Sequence, residues 1–170
     1  MAYPLIGLDE RLPGIFRLHM AASGLALFTI ALAATLRRHP SIHRWIGRLA
    51  AALVVIGGVT ALPSALFSEA TAAARAGLFV QGVVWLALIV AGFLAIRARR
   101  RSLHAALMLM MASVASGAVV LRAMLYAIAV LGLPFEASYA VAVWLAWTVP
   151  LAATAAALAS RREARRAPAL

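Results

Sequence analysis

Apolar residues dominate this chain in five long blocks, and the polar positions are concentrated in the short stretches between them. The blocks cover approximately 14–36, 45–67, 74–96, 103–131 and 138–160. Each reaches the roughly 20 residues that a helix rising about 1.5 Å per residue needs to cross about 30 Å of hydrocarbon. Within a block the apolar residues occupy every side of the helix, the pattern of a segment surrounded by lipid and other helices. The fold class predicted is an all-α integral membrane bundle of five transmembrane helices, forming a single membrane domain over residues 1–170. Gly24, Gly57, Gly58, Gly77, Gly82, Gly92 and Gly117 fall inside the blocks; small residues there let membrane helices approach closely. The connections are short (37–44, 68–73, 97–102 and 133–137), so consecutive helices are antiparallel neighbours. Gly132 and Pro134 mark the last turn.

Composition sharpens this picture. Of the 170 residues 65% are hydrophobic and only 12% charged, and the mean hydropathy of +0.97 belongs to a chain whose main solvent is lipid. The net charge of +11 comes from arginine alone, since the 16 basic residues include no lysine. A basic balance can signal nucleic acid, but here the arginines cluster between apolar blocks, which points to membrane topology and no nucleic-acid partner. Arg37, Arg38, Arg44 and Arg48, then Arg97, Arg99, Arg100 and Arg101, then Arg161, Arg162, Arg165 and Arg166 fall on one side. The positive-inside rule makes that side cytoplasmic, with the N-terminus outside and the C-terminus inside. The basic tail 161–170 is expected to lie against anionic lipid headgroups. The first block is longer than a signal-peptide core and arginines follow it, so no cleavage is expected and the mature chain starts at or near Met1. With no cysteine, disulfides, thiolate metal sites and covalent c-type haem are excluded.

Two strings stand out, Ser41-Ile42-His43 and Ser102-Leu103-His104, 61 residues apart, each following arginines and each opening an apolar block. Their layout predicts a duplicated helical hairpin, with one extra helix, related by an axis along the membrane normal. The two histidines share a level at the cytoplasmic side and either face each other across the bundle or occupy equivalent outer flanks. Two imidazoles from different helices suit the axial positions of a haem b; the plainer reading is a pair of interfacial anchors. His39, in the first of these loops, reads as solvated.

A second polar group lies toward the opposite side. His19 is about 25 Å from the inner end of its helix and Arg122 about 27 Å beyond His104, by helical rise, which puts them at similar depth. Gln81, Trp144 and Tyr126, the last one turn beyond Arg122, complete a candidate ligand pocket for an anion or a quinone headgroup. An arginine at membrane depth needs a partner, and the candidates are Glu69 and Glu136 at the loops, outward snorkelling, or an anionic ligand. Met20, Met108, Met110 and Met111 suit packing better than copper. Trp45, Trp144 and Trp147 read as interfacial aromatics and Trp85 as packing. Ser23, Thr29, Thr60, Ser64, Ser113 and Ser116 read as polar glue between helices, and no nucleophile–base pair emerges from spacing.

His43-Arg44-Trp45-Ile46-Gly47-Arg48 after a basic loop, with His19 early in the first span, His104 after a second basic loop, Leu121-Arg122, and Trp144 with Trp147, resemble the bacterial membrane family catalogued as domain of unknown function 2306. The resemblance covers roughly residues 14–160 and implies a multi-pass protein of the bacterial inner membrane, with no assigned activity. One departure is that Ala105-Ala106-Leu107-Met108 follow His104 where the family has basic and Trp residues. Three functions compete: a redox component binding haem b or a quinone, a non-catalytic accessory or scaffold subunit with a membrane-protein partner, and a small anion transporter in which Pro63 and Pro150 break helices.

Overall fold

The computed structural model describes residues 6–164. Arg165 and Arg166, assigned above to the basic tail, lie outside the described residues. Six helices follow in order: α1 (Ile6–Arg11), α2 (Ile15–Thr35), α3 (Pro40–Leu66), α4 (Ala72–Arg97), α5 (Arg101–Val130) and α6 (Phe135–Ala164). The last five are long and apolar enough to span a membrane, and among the described residues there is no strand. The chain is a multi-pass membrane protein.

Helices α3 to α6 are longer than the apolar blocks predicted for them, because backbone geometry, and not hydropathy, ends them. A 3-10 turn, Leu36–Arg38, continues α2 almost to Pro40, which opens α3 as its first residue, the position where the missing N–H of proline costs nothing. The expected loop 37–44 thus shrinks to a tight corner. Thr71 caps α4 by accepting from the Ala74 N–H. At the other end of α4, Arg99 takes a left-handed φ of 59° while the Arg100 N–H reaches the Ala95 carbonyl, a helix stop usually built on glycine. Pro63 and Pro150 stand inside continuous helices, so neither supplies the helix break considered for a transporter.

Helix α1, which the apolar blocks did not announce, folds over the end opposite the three arginine clusters. Leu8 is buried, Arg11 pairs with Glu69 at 2.6 Å, and Arg17 pairs with Asp9 at 2.7 Å. The Arg17 hydrogen bond holds the Asp9 carboxyl below the usual carboxylate range.

Helices α2 to α5 form a ring in which each packs on the next, and α6 lies in the groove between α4 and α5. The ring closes poorly, because α2 and α5 touch far more sparsely than α3 and α4 do. Ala26, Val54, Trp85, Ile89, Met111, Val114, Ala115 and Trp147 form the core, with residues from all five long helices. Glycines set the helix spacing. A Cβ on Gly117 would stand 2.9 Å from Trp147 Cβ and 3.2 Å from the Ala146 carbonyl oxygen, and one on Gly58 would stand 2.6 Å from Leu86 Cδ2.

Candidate functional site

Both Ser-x-His strings do the same job. Ser41 and Ser102 fall in the first turn of α3 and α5, and the histidine that follows reaches back to the preceding helix. His43 Nδ1 is 2.9 Å from the Ala33 carbonyl oxygen, and His104 Nδ1 is 2.9 Å from that of Gly92. A carbonyl only accepts, so each Nδ1 carries the proton and donates; in the neutral ring Nε2 is left with a lone pair. The Nδ1 of each ring is spent inside its own hairpin. Each is half-buried and clamps its own hairpin, one joining α3 to α2 and the other joining α5 to α4. His39 is exposed.

Deeper in the ring each hairpin is tied a second time, now from its first helix to its second. His19 Nδ1 donates to the Gly57 carbonyl at 2.9 Å, with Ser23 Oγ 3.4 Å from the same nitrogen. In the other hairpin Gln81 Nε2 donates to the Val114 carbonyl at 3.2 Å. The space for the first tie comes from Gly57, where a Cβ would stand 2.7 Å from Ser23 Oγ and 3.3 Å from Trp85. Trp85 follows Gln81 by one turn of α4, so the two ties flank a common layer. The indole N–H groups of Trp85 and Trp147 are buried with no hydrogen-bond partner among the described residues.

Arg122 lies on α5 at a depth similar to that of His19 on α2 by helical rise, and it is exposed. Its Nη1 donates to the Ala118 carbonyl, 2.8 Å away and one turn back along α5. The side chain thus leans toward mid-membrane, as helical Cβ bonds do, and not outward toward the nearer end of its helix. Glu69, one of the two loop partners considered for it, is occupied by Arg11. Among the described residues the two ion pairs are Arg11–Glu69 and Arg17–Asp9, and neither involves Arg122.

The remaining two of the five pocket candidates lie elsewhere. Trp144 is committed to the α4–α6 contact: its Nε1 donates to the Ala73 carbonyl at 3.0 Å and its ring packs on Gly77. Tyr126 is 74% exposed on the outer flank of α5. His19, Gln81 and Arg122 thus share the half of the ring away from the arginine clusters, while Trp144 and Tyr126 flank it.

Several polar residues read as glue between helices turn inward on their own helix. Thr29, Thr60, Ser64 and Ser116 bond carbonyls three or four residues back, a local alternative always open to short hydroxyl side chains. Ser113 does bridge helices, 2.6 Å from Thr154 Oγ1 on α6. Sequence reasoning missed the carbonyls of Gly57, Ala33 and Gly92 as acceptors; the Gly57-Gly58 pair was the available signal of a close approach. Among the described residues no group of three or more His, Asp or Glu could hold a metal ion.

A family model described as a predicted membrane protein, DUF2306, matches residues 16–157. The comparisons with curated proteins and with solved structures give no match. The match covers most of the chain, and the chain belongs to this family.

Proposed function

We propose that this member of the DUF2306 family is a redox-associated membrane component that binds the headgroup of a membrane-soluble hydroquinone at His19, Gln81 and Arg122. The observation that carries this is the fixed His19 ring: Nδ1 is spent on Gly57, which turns Nε2 into an acceptor, while Arg122 on α5 stands at similar depth with no carboxylate partner among the described residues. Such a pair suits a ligand that offers both an O–H donor and an oxygen acceptor. A hydroquinone offers both, and Gln81 keeps a second amide N–H and its carbonyl oxygen for the same headgroup. The sparse α2–α5 seam gives an approach from the bilayer, as expected for a ligand that partitions into lipid.

Decylubiquinol, kept reduced and added to the full chain in nanodiscs, tests this through quenching of the tryptophans. Saturable quenching is expected, weakened at least tenfold by Arg122→Leu because a hydrogen bond to a charged group contributes about 1.5–3 kcal/mol. Quenching that rises linearly with partitioned ligand, alike in both proteins, contradicts it.

A second reading is a haem b between His43 and His104. It is favoured by the Nδ1–carbonyl bonds, which are how ligating histidines are commonly oriented. A Soret band after haem addition that His104→Ala removes and His39→Ala keeps would support it; absence of the band removes it. Under either reading the arginine-rich end faces the cytoplasm of a bacterial cell, with the protein in the inner membrane. The cysteine-free chain allows a direct check. An impermeant maleimide applied from outside should label Ala137→Cys and leave Ser102→Cys untouched, and the reverse pattern inverts the topology.

A further inference from the structure

The duplicated hairpin carries its own control. Ser41 and His43 recur as Ser102 and His104, and both hairpins are clamped alike. Arg44, Trp45 and Arg48 do not recur; Ala105, Ala106 and Leu109 stand in their places. The basic–aromatic set is therefore not needed to fold or close such a hairpin. Nor does it pack on the bundle, for Trp45 is 71% exposed and both arginines are exposed. The Arg48 guanidinium lies 5.4 Å from the centre of the Trp45 ring and makes no hydrogen bond to another described residue. Arg44 uses only Nε, which donates to the Pro40 carbonyl at 3.2 Å, so its two terminal nitrogens have no partner among the described residues.

We propose that Arg44, Trp45 and Arg48 form a seat for one anionic phospholipid on the outer flank of α3. Trp45, Ile46, Arg48 and Leu49 line a shallow, open depression on one face of α3. Toward the membrane interior the flank continues as exposed Leu49, Ile56 and Val59, an apolar track of about 16 Å from Arg48 by helical rise. Both parts of a phospholipid are thereby matched: the phosphate meets two arginines beside an interfacial indole, and an acyl chain follows the track. Charge complementarity selects an anionic headgroup, since the described residues at this end of the bundle carry ten arginines and one carboxylate, Glu163. The seat is separate from the His19–Arg122 site and stands without it.

The full chain reconstituted in phosphatidylcholine vesicles, containing a minor fraction of either brominated phosphatidylglycerol or brominated phosphatidylcholine, tests the seat. The Trp45 signal is the difference between wild type and Trp45→Phe. Brominated phosphatidylglycerol should quench it more strongly at equal mole fraction. Arg48→Gln should lower that enrichment about fivefold, and Arg44→Gln with Arg48→Gln should abolish it while the helical circular dichroism is unchanged. Equal quenching by both lipids, or a preference that survives the double variant, overturns the proposal. So does a Trp45 that neither lipid reaches, which would mean that another protein copy or partner covers it.

Discussion

The hairpins α2–α3 and α4–α5 are built to one plan and diverge in what they carry. Each is clamped at the arginine-rich end by a histidine Nδ1 donating to a carbonyl of the helix before it. Each is tied again at depth by a polar side chain donating to a carbonyl of the helix after it. At depth the first hairpin uses His19 and the second Gln81, so only the first gains a ring nitrogen able to accept a hydrogen bond there. At the surface the first bears Arg44, Trp45 and Arg48, and the second bears alanine and leucine. Their mutual packing is uneven too. If an axis along the membrane normal related the two hairpins, the α3–α4 contact would have its counterpart between α5 and α2, yet one is close and the other sparse. What the hairpins share accounts for the fold; what they do not share is His19 in place of Gln81 at depth, and a basic rim.

The largest expected effect lies in the second hairpin's contact with α6. Gly117→Val should destabilise the protein by about 1–3 kcal/mol through overpacking, because the added atoms meet Trp147 Cβ and the Ala146 backbone. Gly47→Val in the first hairpin, where a Cβ meets nothing within 4 Å, should change stability little. Unfolding in sodium dodecyl sulfate measures both, and equal losses would mean that the glycines do not set the spacing.

Next come the clamps. His43→Ala and His104→Ala should each cost about 0.6–1.5 kcal/mol, the range for a hydrogen bond in or near a membrane, and the costs should match. A cost confined to one variant would break the equivalence of the hairpins. A smaller gain is expected from Arg99→Gly, about 0.5–1 kcal/mol, since glycine takes a left-handed φ without the steric cost an L side chain meets. The corner at Leu36–Arg38 holds no such residue among the positive φ values, so glycine there should give no gain.

The smallest effect concerns α1 and depends on pH. The Asp9 carboxyl is lowered in the fold by Arg17, so its contribution is complete above its unfolded pKa and disappears as pH falls through the folded value. Amide exchange in α1 should therefore speed up only in strongly acidic buffer, and Asp9→Asn should remove that dependence. A loss of protection near neutral pH would implicate another group.

Much of this architecture was legible in the sequence. Five spans followed from block length, and the Ser-Ile-His and Ser-Leu-His strings announced the two matching clamps. The role of those histidines was not legible, because their partners are backbone carbonyls that any residue supplies. Arg122 illustrates the same point: its depth could be read from spacing, whereas its inward lean depends on a backbone carbonyl of its own helix, and the occupation of Glu69 by Arg11 depends on a short helix too small to register as an apolar block. Helix facing was hidden as well, since spans that are apolar all round carry little angular signal. That is why Trp144 and Tyr126 were grouped with His19, Gln81 and Arg122, while the structure sets Trp144 between α4 and α6 and Tyr126 on an outer flank.

The seam between the unlike halves is where a ligand would have to be held from both sides, by α2 through His19 and by α5 through Arg122. A double-mutant cycle on decylubiquinol affinity, using His19→Leu, Arg122→Leu and both together, tests this most directly. The account predicts a coupling above about 0.5 kcal/mol, the double variant losing less than the sum of the single losses, because both side chains grip one headgroup. Strictly additive losses, or single variants that bind as wild type does, would contradict it.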